Sequence, residues 1–105
     1  MSAPAHCEIW WLEDEEIGRR PVLLLTRDSA KPLLTQLVVA PITRTVRGIP
    51  SELALGPDDG LAVSCAASFD NLRTVSRALL TGRAGALAPG RDHEMCAALA
   101  AALDC

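Results

Sequence analysis

Residues 7–26 read CEIWWLEDEEIGRRPVLLLT, and their pattern sets the fold class. Cys7–Leu12 is a short run of β-rich character, the acidic segment that follows it up to Gly18 reads as a loop, and Pro21–Thr26 is a second strand. Its proline stands at the first position, where a missing N–H harms a ladder least. Working outward, Gln36–Thr43 (QLVVAPIT) is a third strand, and Pro41 near its end implies an edge or a bulge and not a central place. Arg44–Pro50 reads as an exposed loop. Ser51–Leu55 is a short strand before the turn Gly56-Pro57-Asp58-Asp59-Gly60, the strongest turn signal in the chain. Leu61–Ala67 and Leu72–Val75 follow as strands, and Leu79–Leu87, with two glycines, as a bent one. From Asp92 to Leu103 the residues Met95, Ala98, Leu99, Ala102 and Leu103 mark one face of a helix, with Asp92 and Glu94 at its electropositive start. The expectation is a mainly β (α+β) domain of five to seven short strands closed by one helix.

The chain of 105 residues is half apolar, enough for one domain with its own core. No apolar run approaches the roughly 20 residues of a membrane span, and the start Met-Ser-Ala-Pro-Ala-His has no signal-peptide character, so a soluble, cytoplasmic protein is expected. Cys7, Cys65, Cys96 and Cys105 form no Cys-x-x-Cys pair and read as buried thiols. With His6 and His93 they match no zinc-ligand spacing, so neither metal nor cofactor is expected.

The net charge of −3 conceals an uneven distribution. Residues 1–16 hold five acids and no base, and residues 92–105 three acids and no base. Between them, all ten cations face five acids, a balance of +5. Nine of the ten are Arg, which suits bidentate phosphate recognition; a GC-rich genome gives the same bias. Trp10, Trp11 and Phe69 are the only aromatics, so RNA recognition built on an exposed Phe or Tyr stacking platform is excluded.

Several motifs together carry a resemblance over nearly the whole chain: Glu8-Ile9-Trp10-Trp11-Leu12, Arg20-Pro21-Val22-Leu23, Ala40-Pro41-Ile42-Thr43, Gly48-Ile49-Pro50, Asp70-Asn71-Leu72-Arg73-Thr74 and the late Ala-Leu helix. In order and spacing they resemble the MazF/PemK-like toxins of type II toxin–antitoxin systems. The resemblance implies an SH3-like β-barrel with a C-terminal helix, a homodimer, and a metal-independent endoribonuclease cutting single-stranded RNA at a short sequence. It also implies a cognate MazE-like antitoxin whose acidic, disordered tail covers the RNA groove.

By the same resemblance Arg20 falls on the family's catalytic arginine and Thr43 on its catalytic threonine. A dianionic five-coordinate phosphate needs fixed charge and hydrogen-bond donors, which a guanidinium and a hydroxyl supply. A guanidinium is a poor base near neutrality, so Arg20 is expected to stabilise the phosphorane while Thr43 orients the phosphate, leaving a 2′,3′-cyclic phosphate and a 5′-hydroxyl. The base is unassigned: Glu15 or Glu16 serves if the first loop folds toward Arg20, and otherwise both belong to a solvated acidic loop. Arg19, Arg44 and Arg47 are candidate phosphate contacts or plain surface cations. Ile49 and Pro50 are candidates to shape a base pocket, and Asn71 either reads a base edge or forms a turn. Of the adjacent tryptophans, alternation sends one inward and one outward, the latter toward a dimer partner or the antitoxin.

Two departures from the family pattern bear on the site. His6-Cys7 stands where members commonly have Arg-Gly, and the segment from Leu12 to Arg20 is short and acidic. These keep open a member that binds antitoxin but cleaves weakly. A CcdB-like gyrase-binding toxin is the rival of another class, although such chains end in a tryptophan-containing tail and this one ends Ala-Leu-Asp-Cys.

Overall fold

The computed structural model describes residues 4–16, 18–28 and 35–103. Seven strands form one curled sheet: β1 (Glu8–Asp14), β2 (Gly18–Leu24), β3 (Gln36–Thr43), β4 (Glu52–Leu55), β5 (Cys65–Ser68), β6 (Arg73–Ser76) and β7 (Leu80–Ala86), followed by helix α1 (Asp92–Leu103). The order is β4-β5-β3-β2-β1-β7, with β6 also paired to β3. The mainly β architecture of short strands with a closing helix is thus as expected, with the sheet curled into a half-barrel. Among the described residues no helix is long and apolar enough to cross a membrane.

Four local readings need correction. The acidic segment is mostly strand and not loop: β1 runs on to Asp14 and β2 begins at Gly18, with Glu13 opposite Arg19 and Leu12 opposite Arg20. Opposite charges facing across a hairpin favour pairing, a gain invisible in a one-dimensional run of acids. Pro21 is therefore interior to β2 and not its first residue. Residues 61–64 lie outside β5, which starts at Cys65. On α1, Met95 and Ala98 are buried, but Leu103 is exposed and leaves the packed face.

Both faces of the central strands are covered, which explains the unbroken apolar run Val22-Leu23-Leu24. One face carries Ile9, Leu23, Ala40, Phe69 and the helix residues Met95 and Ala98. The other gathers Trp10, Leu12, Val22, Leu24, Leu37, Val39 and Val75. Trp10 is buried and Trp11 only partly so, as alternation requires.

The two prolines decide where this sheet opens. The Leu25 N–H donates to the Val38 carbonyl, so by alternation the backbone edge of Pro21 also faces β3, and Pro21 has no N–H for the next rung. The β2–β3 ladder accordingly stops at Val22 opposite Pro41. The edge of Pro41 faces the other way, at the point where β3 exchanges β6 (last pair Val39 with Arg73) for β5 (first pair Ile42 with Ala67). A proline costs no rung in that gap. Pro41 thus marks a change of partner within a central strand, not the edge strand that the sequence implied.

Candidate active site

Arg20 and Thr43 occupy the opening that the prolines create. Continuing the β2–β3 register two residues beyond Val22 and Pro41 brings them to corresponding positions at one end of adjacent antiparallel strands. They share a sheet face, since Arg20 alternates with Val22 and Leu24, and Thr43 with Val39 and Leu37, all of one apolar cluster. Arg20 is exposed and Thr43 half-buried. Thr43 Oγ1 accepts the Thr45 N–H at 3.1 Å, a local turn that leaves the hydroxyl hydrogen available to a ligand oxygen.

Thr43, but not Arg20, lines an open depression of about 220 Å³, together with Pro41, Thr45, Arg47, Glu52, Ser68 and Asn71. The structure therefore unites three residues singled out from the sequence, Thr43, Arg47 and Asn71. It adds Thr45, Glu52 and Ser68, which sequence reasoning missed. Glu52 Oε1 accepts the Arg47 N–H at 2.9 Å and the Gly48 N–H at 3.0 Å, holding the cationic loop over β4. Gly48 sits at φ +70°, a conformation that glycine adopts without strain. Asn71 Nδ2 donates to Ser68 Oγ at 2.8 Å.

The remaining candidates are placed differently. Arg44, Ile49 and Pro50 are exposed and do not line the depression; Arg44 lies near enough to Cys65 to oppose the rise that burial imposes on its thiol pKa. Arg19 alternates with Arg20 and so faces the other side of β2, its guanidinium 4.2 Å from the Trp11 ring centre. Glu15 and Glu16 are exposed in the β1–β2 hairpin, where the Glu16 N–H donates to the Asp14 carboxylate. His6 and Cys7 lie at the other end of β1. The Cys7 N–H donates to the Leu24 carbonyl, and Cys7 carries a left-handed φ of +70°, a conformation that glycine adopts without strain.

Comparison with known proteins agrees with this architecture. A family model described as PemK-like, MazF-like toxin of type II toxin-antitoxin system matches residues 6–103. A Mycobacterium tuberculosis protein named probable endoribonuclease MazF5 is 47% identical over 103 residues, covering 97% of this chain and 94% of the relative. The solved Mycobacterium tuberculosis toxin MazF-mt6 superposes with a TM-score of 0.85 at 34% identity, over 92% of this chain and 96% of that one. A mycobacterial endoribonuclease solved in complex with its cognate antitoxin superposes with a TM-score of 0.84 at 27% identity, over 97% and 96% of the two chains. With its matched span, its sheet and its closing helix, the chain belongs to the PemK-like, MazF-like toxin family of type II toxin–antitoxin systems.

Proposed function

We propose that this protein is a sequence-specific endoribonuclease that cleaves single-stranded RNA in the cytoplasm without a metal ion, acts as a homodimer and is held in check by an antitoxin. The observation that carries the reading is the shared register position and sheet face of Arg20 and Thr43, just past the last β2–β3 rung. The bases on either side of the scissile phosphate run along the opening. The 2′-oxygen attacks phosphorus, the 5′-oxygen departs, and the products are a 2′,3′-cyclic phosphate and a 5′-hydroxyl. Arg20 stabilises the charge that accumulates on the phosphorane, and Thr43 donates to a nonbridging oxygen. Arg47 and Arg44 supply phosphate contacts, Arg19 adds positive charge from the rim, and Ile49, Pro50 and Asn71 contact bases. The antitoxin reading draws on the mycobacterial relative solved with its own antitoxin. Gyrase poisoning has no support in the family match.

The test is cleavage of total RNA in EDTA with mapping of new 5′ ends. Arg20→Ala is expected to lower cleavage by about 10²–10³-fold and Thr43→Ala to lower it as well, both with unchanged melting temperatures because neither side chain is fully buried. RNA left intact by the wild-type chain, or full activity in Arg20→Ala, overturns the reading. Cleavage under non-saturating RNA should also fall steeply as salt rises.

A further inference from the structure

Glu52 is an unexpected residue to find in an RNA groove. A carboxylate repels phosphate, so beside Glu52 the depression suits a base, while Thr43 and Arg47, which also line it, are the phosphate contacts proposed above. The two oxygens of Glu52 have different tasks. Oε1 accepts both the Arg47 and Gly48 N–H groups, whereas no hydrogen bond to Oε2 occurs among the described residues, and the side chain is only partly buried. Asn71 is similarly divided. Its Nδ2 is committed to Ser68 Oγ at 2.8 Å, whereas Oδ1 accepts no hydrogen bond among the described residues. Two side-chain acceptors, one from Glu52 and one from Asn71, therefore border a depression of about 220 Å³, which is room for a single nucleobase. Thr45 and Arg47, which carry side-chain donors, also line it.

We infer that this depression is a specificity subsite for guanine, read on its Watson–Crick edge by Glu52 and Asn71. The inference rests on the nuclease reading and deepens it. Guanine alone among the RNA bases presents two neighbouring donors there, N1–H and the N2 amino group, beside the O6 acceptor. Adenine and cytosine set a ring-nitrogen acceptor next to their amino donor, and uracil flanks its single N–H with two carbonyls. Each would set an acceptor against an acceptor of Glu52 or Asn71, where guanine sets a donor. Single-stranded RNA exposes this edge for such readout.

Glu52→Gln is an unusually clean probe. The amide keeps a carbonyl oxygen for the Arg47 and Gly48 N–H groups, so the loop stays held, but it replaces the free acceptor by a donor. The experiment incubates the full-length protein with a randomised single-stranded RNA pool. It sequences the cut ends and, in parallel, the uncleaved RNAs retained on a filter by the protein. Guanine should be enriched at one fixed position, and inosine there, which lacks the 2-amino group, should reduce cleavage roughly tenfold. Substitution by 7-deazaguanine, which alters only the opposite edge, should have no effect. Glu52→Gln should shift the preference to bases offering an acceptor while still cutting the pool. Efficient cutting without guanine enrichment, or an unchanged preference in Glu52→Gln, overturns the subsite and leaves the nuclease reading standing. A pool left uncut by the wild-type chain overturns the nuclease reading instead, and the filter-retained sequences then decide the guanine assignment by themselves.

Discussion

Two carboxylates in this protein do superficially the same thing and differ in one respect. Asp59, in the 3-10 turn Pro57–Asp59, accepts the Gly56 and Ala88 N–H groups and the Arg91 guanidinium, using both oxygens, and is 2% exposed. Glu52 also braces a loop by accepting two backbone N–H groups, but through a single oxygen and at a half-open position. Arg91 continues the closed arrangement by donating to the Ala54 carbonyl and to Glu94. Even the backbone is sealed there: a Cβ on Gly85 would come within 2.2 Å of the Asp59 carbonyl oxygen. Saturated, a carboxylate is a clamp and offers a ligand nothing. Half-used, it is a brace with chemistry to spare. On the subsite reading proposed above, recognition falls to the carboxylate whose second oxygen the protein leaves unbonded among the described residues.

The sharpest way to break the contrast is to remove the clamp. Asp59→Ala strips partners from two backbone N–H groups and from a largely buried guanidinium, and should cost about 3 kcal/mol, read as a lowered denaturation midpoint with an unchanged slope. A loss below about 1 kcal/mol would make Asp59 no more structural than Glu52. Next in size is the strain stored beside the clamp. Cys7, whose carbonyl receives the Leu87 N–H, holds φ at +70° while its Sγ lies 3.9 Å from Met95 Sδ. Cys7→Ala loses the sulfur and keeps the strain; Cys7→Gly loses both. The glycine variant should therefore be the more stable of the two by about 1 kcal/mol, reversing the usual preference for alanine, and equal stabilities would mean that the backbone pays nothing here. Smaller again is Glu52→Ala, which should change stability by no more than about 1 kcal/mol, because water can reach the two N–H groups it leaves behind.

How far the sequence disclosed this arrangement follows from what kind of bond each feature uses. Strands and helix were legible because burial imposes a period: the runs Val22-Leu23-Leu24 and Met95/Ala98 declare covered faces. The β1–β2 hairpin was misread because acidic composition resembles a loop until Arg19 is known to lie opposite Glu13. Pro41 was misread because one chain cannot show that β3 changes partners at that residue. Arg20 and Thr43 were reached through family resemblance, and the register that brings them together is a pairing property. Glu52 was missed for a deeper reason. Its partners are backbone N–H groups, which every residue but proline carries, so no side-chain pattern marks the contact.

The finest test of the comparison uses acid. In the closed region the hydrogen bond from Arg91 holds the Glu94 carboxyl below its ordinary pKa of 4.5, against the opposing effect of burial. At the start of β1, Glu8 is subject to burial, which raises its pKa, but hydrogen bonds from Trp10, the Ala5 N–H and Arg83 outweigh it and leave the value lowered. A carboxyl that ionises more readily folded than unfolded binds more protons in the unfolded state across the interval between the two pKa values. Its stabilisation is complete above the unfolded value and disappears as pH falls through the folded one. The melting temperature should therefore stay level, as far as these two groups decide it, from pH 7 down to about 5, and decline below about 4.5. Glu94→Gln and Glu8→Gln should each start lower at pH 7 and decline less steeply, converging on the wild type in acid. Parallel curves for all three proteins would show that these ion pairs contribute equally in both protonation states, and that geometric closure does not by itself translate into stability.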